Sequence, residues 1–446
     1  MAPGGFPLLG HIPRLARAPL AFFERLNGQG SVVRIRIGRR VGYVVTRPDL
    51  VRRVLINDQR YYDKGGPIYD KLRIVAGNGL ATCPASEHRK QRLLMQPAFH
   101  ASRFPGYLAI MRDVVAEVTG AWRSGQVVDL EVEMRRIVAL VTARALISAD
   151  HGVEAVERWA DSLPETLQML YWRIVVPGEA LHKLLPASRR LDRNLTHMQA
   201  AADRVVAQYR ASGADYGDLL SVIVHAWGQE PDQRSADRDV HGQVSNILIG
   251  GIETTAHALT WAFRLLSRSP DSTARLVAEL DEVLNGRLPE YADLPRLPYA
   301  QRMFTETLRL YPPAWLVSRT AIEDTELGGY RIPAGSDVFF SPYALHRVSE
   351  VFPDPERFDP DRWLPERAGK EQREGFFAFG AGPGKCIGDI FAMTEATLVL
   401  AIVLGRWQVN HLPDSPDKPV LRLTLSPPPT RVTVKARQRQ STACQT

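Results

Sequence analysis

Cysteine and long apolar segments are both scarce in this sequence. Three cysteines, Cys83, Cys386 and Cys444, are spread over 446 residues, which excludes a disulfide framework. No run of about eighteen apolar residues is present, so we expect no membrane-spanning helix. Residues 1–7 also lack the charged region and apolar core of a signal peptide. Together these absences predict a cytoplasmic protein.

Positive charge exceeds negative charge, but it is not concentrated in any one segment. Lys and Arg number 56 against 49 Asp and Glu, which gives a net charge of +7. Nucleic-acid-binding proteins usually gather basic residues on one face and carry a recognisable motif, and we find no such motif. We therefore predict no nucleic-acid partner. The excess is interpreted as solvated surface charge, with a docking face for an acidic protein as the alternative.

The apolar periodicity predicts a mainly α-helical protein with a small β region. Helical periods dominate residues 87–246, 240–268 and 272–284, and β-hairpins are predicted at residues 33–45, 327–335 and 421–434. Residues 61–83 are expected to be irregular, and residues 228–239 to form a surface loop. With no internal repeat and no linker, we predict one domain over residues 1–446. A lead-in segment at 1–20 and a disordered tail at 435–446 are expected at its ends.

A glycine-rich segment at residues 375–388, here called the cysteine loop, runs directly into a mostly apolar helix. Cys386 therefore lies at a helix N-terminus, where unpaired N–H groups and the helix dipole favour an anion. A thiol at such a position is expected to be biased toward thiolate, the form that binds metal. The glycines allow close approach of a flat ligand. The alternative is a glycine-rich turn around an inert cysteine.

The spacing F-G-x-G-x-x-x-C-x-G resembles the haem-binding loop of the cytochrome P450 monooxygenases. It is carried here by Phe379, Gly380, Gly382, Cys386 and Gly388. The resemblance implies haem b, Cys386 as the axial iron ligand, and the family's single large triangular domain of helices with a small β region. One position departs from the family. Gly384 stands where an Arg or His usually helps to hold a haem propionate, and Lys385 beside it is the expected substitute.

The segment Gly250-Gly251-Ile252-Glu253-Thr254-Thr255 lies in a helix that is apolar nearly all round. A glycine pair allows such a helix to bend or open. The alternative is a packing contact in which the hydroxyls bond back to their own helix. The order of residues resembles the oxygen-activating segment of the same family. The resemblance implies that Glu253 and Thr254 guide protons to the reacting oxygen.

Two further groups complete the family resemblance. Glu306 and Arg309 share a helix face, and with Arg357 they are expected to form a buried charge network that supports the cysteine loop. The residues that resemble the family's propionate ligands are His88, Arg92 and Arg319, with His346 as a further candidate. The alternative for His88 and Arg92 is an exposed basic helix face. The motifs together span residues 87–388, in the family's order.

The resemblance implies a monooxygenase that uses O2 and two electrons from a separate ferredoxin and ferredoxin reductase. An apolar pocket is expected to include Leu170, Ile249, Gly250, Trp315 and Leu316. Several segments outside the haem motifs resemble bacterial sesquiterpene-oxidising members, so a cyclic terpene of secondary metabolism is the predicted substrate. A macrolide or other polyketide is the alternative substrate. A non-catalytic haem sensor is the alternative from another functional class, and a basic DNA-binding protein is the third alternative.

Overall fold

Helices form most of the chain, as the sequence predicts. The computed structural model describes residues 1–38, 40–147, 153–175, 186–213, 216, 218–227, 233–412 and 416–438. Several helices begin with proline, whose fixed φ and missing N–H suit the first helical position. In the described part of the chain the α-helices are α1 (Ile12–Arg17), α2 (Pro19–Leu26), α3 (Pro48–Arg52), α4 (Pro67–Ala76), α5 (Ala85–Met95), α6 (Phe104–Gly120), α7 (Leu130–Leu146), α8 (Val153–Val175), α9 (Pro186–Ser212), α10 (Leu219–Trp227), α11 (Gln233–Leu248), α12 (Thr254–Ser267), α13 (Pro270–Leu284), α14 (Pro298–Leu310), α15 (Pro342–Leu345), α16 (Lys370–Glu374) and α17 (Asp389–Arg406).

Short strands form four small sheets beside these helices. The strands are β1 (Val32–Ile37), β2 (Arg40–Val45), β3 (Tyr62–Asp63), β4 (Gln126–Asp129), β5 (Val317–Ala321), β6 (Thr325–Leu327), β7 (Tyr330–Ile332), β8 (Asp337–Phe340), β9 (Trp407–His411), β10 (Val420–Leu421), β11 (Leu425–Ser426) and β12 (Arg431–Ala436). The largest sheet has the order β1-β2-β8-β5-β3, and a three-stranded sheet has the order β4-β12-β9. The other two are the hairpins β6-β7 and β10-β11.

The main hydrophobic core lies among α6, α7, α12, α14 and α17. Helix α17, which follows the cysteine loop, is buried along most of its length. Both the cysteine loop, through α17, and the π-helical turn that precedes α12 are therefore attached to this core. Two smaller clusters fill the space around the five-stranded sheet.

Five local predictions differ from the structure. Residues 61–83 are not irregular, because they contain β3 and α4, which begins at Pro67. The strand at residues 431–436 pairs with β4 and β9 instead of forming a hairpin with residues 421–425, which lie in the separate β10-β11 hairpin. Helix α11 begins at Gln233, inside the predicted loop 228–239, whose first part (228–232) lies outside the described residues. The lead-in segment contains α1 and the start of α2. The predicted tail 435–446 begins inside β12, and its residues 439–446 lie outside the described part.

Candidate active site

The cysteine loop folds back on itself so that Cys386 precedes α17. The Cys386 N–H donates to the Phe379 carbonyl at 2.8 Å, which closes the loop. Gly380 and Gly382 have φ values of 71° and 64°, a region that side chains other than glycine rarely adopt. A Cβ at Gly382 would also lie 2.5 Å from the backbone oxygen of Leu55. Glycine is therefore required where the loop meets the neighbouring chain.

Cys386 is exposed on the cysteine loop, although the protein packed around it partly desolvates its thiol. This withdrawal from water raises its pKa, against the opposing effects of the Gly388 N–H and the charges of Arg92 and Lys385. The predicted bias toward thiolate is therefore wrong for the metal-free group. Helix-terminus electrostatics are too weak here to offset desolvation. A metal ion deprotonates a coordinating thiol outright, so Cys386 would hold the haem iron as a thiolate despite its raised pKa.

Three cationic side chains and one histidine converge on the same side of the cysteine loop. Arg92 donates to the Lys385 carbonyl at 2.6 Å, and Arg319 donates to the Tyr69 hydroxyl at 2.9 Å. Lys64 donates to the Leu80 carbonyl at 2.6 Å. Among the described residues, Lys64, His88, Arg92 and Arg319 form no ion pair with a carboxylate.

The electrostatics of this cationic cluster fit a dianionic ligand. Burial lowers the pKa of His88 to about 4, with further lowering by Lys64, Arg92 and Arg319. Burial also lowers the pKa of Lys64 to about 8, assisted by Arg319 and Arg73 and opposed by Cys83 and Asp63. Positive charge in excess of its carboxylate partners suits the two propionates of a haem. The residues present therefore fit the cofactor that the cysteine loop implies.

The structure also shows how the site accommodates glycine at position 384. A Cβ at Gly384 would lie 4.0 Å from a guanidinium nitrogen of Arg319, so a cation is already close to the place of the missing arginine. The predicted substitute, Lys385, already has an anionic partner, because its ammonium pairs with Asp389 at 2.5 Å. Sequence reasoning missed Lys64 and Tyr69, because the segment that contains them was expected to be irregular and so offered no helical face to interpret.

The predicted charge network exists, and Glu306 is its centre. The Glu306 carboxylate accepts two hydrogen bonds from Arg309 at 2.8 Å, one from Trp363 at 2.9 Å and one from Arg362 at 3.3 Å. It also accepts from the Asp359 N–H at 3.1 Å. Glu306 and Arg309 are both fully buried. The carboxylate is thus saturated with donors, as a structural buried charge needs to be.

Arg357 does not belong to this network through its side chain. Its side chain is exposed, and only its backbone carbonyl accepts a hydrogen bond from Arg309, at 3.1 Å. The second arginine of the network is Arg362 instead. The 3₁₀ turn Pro360–Trp363 directs its side chain inward, and the residue is 4% exposed. The sequence offers both arginines in similar settings, five residues apart, and only the turn distinguishes them.

His346 lies beneath the cysteine loop and is not a propionate ligand. It is fully buried, one ring nitrogen lies 2.9 Å from the Arg309 carbonyl, and the other accepts the Phe377 N–H at 2.9 Å. Burial lowers its pKa to about 3, so the ring is neutral. His346 therefore connects the charge network to the start of the loop.

On the opposite side of the core, the helix that carries Glu253 opens at its glycine pair. Ile249–Glu253 forms a π-helical turn between α11 and α12, as expected for a site that interrupts regular hydrogen bonding. The Thr254 hydroxyl donates to the Gly250 carbonyl at 2.6 Å. The Glu253 carboxylate is fully buried, and no described residue donates a hydrogen bond to either of its oxygens.

The predicted pocket residues fall into two groups. Gly250 is exposed, and Ile249 and Leu316 are partly exposed, so these three can contact a ligand. Trp315 and Leu170 are buried. Trp315 packs edge-on against Phe23 and Tyr171, which indicates a core role for it.

Residues 1–435 match the cytochrome P450 family, and the chain belongs to that family. It is 47% identical over 435 residues to cyclooctatin synthase of Streptomyces melanosporofaciens, covering 97% of this chain and 94% of that protein. It is 41% identical over 427 residues to pentalenene oxygenase of Streptomyces avermitilis, covering 96% and 95%. Among solved structures, the cytochrome P450DA heme domain gives a TM-score of 0.86 at 28% identity, covering 98% of this chain and 97% of that one.

These similarities make the protein a cytochrome P450 monooxygenase with a haem-thiolate cofactor. The predicted fold and cofactor are confirmed, as is the expected similarity to bacterial terpene-oxidising members. In the described part of the chain, no helix combines the length and the apolar character needed to cross a membrane.

Proposed function

We propose that this P450 hydroxylates a cyclic terpene and receives electrons from a separate ferredoxin and ferredoxin reductase. The observation that carries the substrate class is similarity along nearly the whole chain to cyclooctatin synthase and pentalenene oxygenase. Ile249 and Leu316, both apolar and partly exposed near Gly250 and β5, suit a hydrocarbon.

The proposed roles of the proximal residues follow from the geometry around the cysteine loop. Cys386 is the iron ligand, and Phe379, Gly380 and Gly388 shape the backbone around it. Lys64, His88, Arg92 and Arg319 hold the propionates. When bound, the haem supplies the activation of O2 and the transfer of one oxygen atom to carbon.

The proposed roles of the distal residues are the binding and movement of protons. Thr254 presents a hydroxyl whose hydrogen is shared with the Gly250 carbonyl, and its oxygen lone pairs remain available to accept a proton donor. Glu253 is adjacent in sequence and carries a carboxylate with unused acceptor capacity. This pair can pass protons to the reacting oxygen without opening the site to bulk water.

The electron donor is proposed to bind on the Cys386 side of the molecule. Arg89 and Lys90 are exposed on α5, and Ile390 is 61% exposed beside the cysteine loop. A basic surface with an exposed apolar residue suits an acidic carrier protein. A ferredoxin is such a carrier.

A two-stage experiment tests the proposal. The reduced carbon-monoxide difference spectrum should show the red-shifted Soret band of thiolate ligation, and Cys386→Ser should lose it. Pentalenene and other cyclic terpenes are then titrated against the ferric enzyme, with macrolides in parallel. We expect a terpene to convert the low-spin spectrum of the ferric enzyme to a high-spin one. The same terpene should be hydroxylated when a surrogate ferredoxin system supplies the electrons.

Three other outcomes would redirect the proposal. Turnover of macrolides alone would replace the substrate class and keep the reaction. A normal thiolate spectrum without O2 consumption for any substrate would favour a haem sensor. Reduction by a flavodoxin but not by any ferredoxin would replace only the proposed electron donor.

A further inference from the structure

Glu253 belongs to a cluster of four titratable side chains in the interior of the molecule. Its members come from three elements: Glu253 and His257 around the start of α12, Glu131 in the first turn of α7, and Arg422 between β10 and β11. Glu253 and His257 are 0% and 1% exposed. The cluster is therefore part of the interior, where each charge requires a partner or a use.

The His257 ring lies between the carboxylates of Glu253 and Glu131. Its Nε2 lies 3.3 Å from Glu253 Oε1 and 3.6 Å from Glu131 Oε1. The spacing of four residues between Glu253 and His257 places them on one helix face. The other ring nitrogen, Nδ1, lies 3.5 Å from the Thr424 hydroxyl. The Nε2 atom can thus receive a proton on the Glu131 side of the ring and donate it to Glu253.

Arg422 holds this arrangement from the β10-β11 hairpin. One guanidinium nitrogen donates to Glu131 at 3.2 Å and lies 3.6 Å from Glu253 and 3.5 Å from His257. The backbone of Arg422 is itself fixed, because its carbonyl accepts the Trp315 indole N–H at 3.3 Å. Arg422 therefore fixes the positions of all three groups.

Glu131 connects the cluster to the protein surface. Its carboxylate lies 3.5 Å from Arg135, and Arg135 lies 3.9 Å from Asp161, whose side chain is 75% exposed. Burial alone would raise the pKa of Glu131, but His257, Arg422 and Arg135 outweigh burial and lower it to about 2. Glu131 therefore remains an anion and presents its negative charge to the His257 ring.

We propose that His257 is a positioning residue that supplies protons to Glu253 during turnover, with Glu131 and Arg422 orienting its ring. The inference rests on the proposed proton role of Glu253 and Thr254. The Nε2–H bond of the imidazolium breaks, and the proton passes to the Glu253 carboxylate, which passes it on beside Thr254. A solvent water at the Glu131 side of the ring, where the Glu131 side chain is 12% exposed, then returns a proton to Nε2. Monooxygenation consumes two protons with its two electrons and releases one water, so His257 acts twice in each cycle.

The contrast with Glu306 argues against a purely structural cluster. A buried carboxylate that serves stability has its lone pairs occupied by donors, as Glu306 does. The Glu253 carboxylate lies 3.3 Å from the His257 ring and 3.6 Å from the Arg422 guanidinium, but it accepts no hydrogen bond from a described residue. Such a carboxylate retains the capacity to take up a proton.

The experiment compares His257→Phe and Glu131→Gln with a matched control, His411→Phe. His411 is a partly buried histidine on β9, away from the cluster. The holoenzyme variants receive pentalenene, O2 and a surrogate ferredoxin system, and product and peroxide are measured per O2 consumed. The same variants then receive iodosobenzene, which delivers an oxygen atom without O2, electrons or protons. The first assay requires proton delivery, and the second does not.

We expect His257→Phe to lower product per O2 by about tenfold or more, with peroxide making up the difference, because a positioned proton donor is lost. Iodosobenzene-supported turnover should be unchanged in this variant, and His411→Phe should match the wild type in both assays. Unchanged product per O2 in His257→Phe, or equal losses in the two assays, would overturn the proposal.

A second readout does not depend on turnover. Histidine-selective NMR of the diamagnetic ferrous carbon-monoxide form assigns the His257 signal by its loss in His257→Phe. Glu131→Gln should change the chemical shift of this signal, because Glu131 Oε1 lies 3.6 Å from His257 Nε2. A His257 signal that is the same in Glu131→Gln and the wild type would contradict the cluster. If the wild type fails to oxidise pentalenene in either assay, the proposed substrate fails, and this chemical shift still decides the placement of His257.

Discussion

Two fully buried glutamates in this molecule are surrounded in opposite ways. Glu306, beneath the cysteine loop, accepts hydrogen bonds from Arg309, Arg362, Trp363 and a backbone N–H. Glu253, beside the opened helix turn, accepts none from any described residue, although His257 and Arg422 lie nearby. The two residues are of the same type and are equally buried, but they differ in the number of hydrogen bonds that their carboxylates accept.

The difference distinguishes a buried carboxylate that stabilises the fold from one that can take part in proton transfer. A saturated carboxylate is costly to protonate and holds its neighbours in place. An unsaturated one next to a histidine can change its protonation at lower cost and is suited to proton transfer. The donor set therefore distinguishes the two roles, where burial alone does not.

The largest expected effect is on the Glu306 side. Arg362→Leu should destabilise the protein by about 3–5 kcal/mol, because it removes one partner of a buried charge. The control is Arg357→Leu, which removes an exposed side chain and should cost at most about 0.5 kcal/mol. Chemical unfolding of both holoenzymes measures the difference. An equally large loss in Arg357→Leu would return the Arg357 side chain to the network beside Arg362.

Thr254→Ala tests the Glu253 side. We expect full haem content but about tenfold less product per O2, with the electrons diverted to peroxide, because the proton-passing hydroxyl is lost. Thr260→Ala is the matched control, since the Thr260 hydroxyl makes the same bond to the carbonyl four residues earlier, at 2.8 Å. A drop of the same size in both variants would indicate helix damage.

The cationic cluster is tested by haem loss. Lys64→Met should speed haem transfer to apomyoglobin by about tenfold, since one charge-assisted hydrogen bond contributes roughly 1.5–3 kcal/mol. Lys385→Met is the control and should leave the rate unchanged, because the Lys385 ammonium already pairs with Asp389. The reverse pattern would restore Lys385 as the propionate ligand.

Gly384→Arg should have the smallest effect. An added guanidinium next to Arg319 would give the propionates another donor, and we expect haem loss to slow by a few-fold. The gain is limited because the new cation also repels Arg319, which lies 4.0 Å from the position of its Cβ. Faster haem loss would mean that this repulsion outweighs the added donor.

The sequence predicted the helical fold and most of the site, because motif spacing along one helix or loop fixes which side chains share a face. It could not distinguish Arg362 from Arg357, since only the turn at Pro360 orients one of them inward. It also could not place Glu131 or Arg422 beside Glu253, because those contacts join residues more than one hundred positions apart. The wrong strand pairing of residues 431–436 has the same cause.

The most direct test of this account is product formed per O2 consumed by Glu253→Gln, measured beside Glu306→Gln with haem content and unfolding midpoint as controls. The account predicts that Glu253→Gln folds and binds haem as the wild type does, yet diverts most of its electrons to peroxide. Glu306→Gln should instead lose stability and haem, with normal coupling in whatever holoenzyme remains. Full coupling in Glu253→Gln, or the same loss of stability in both variants, would contradict the division of roles between the two glutamates.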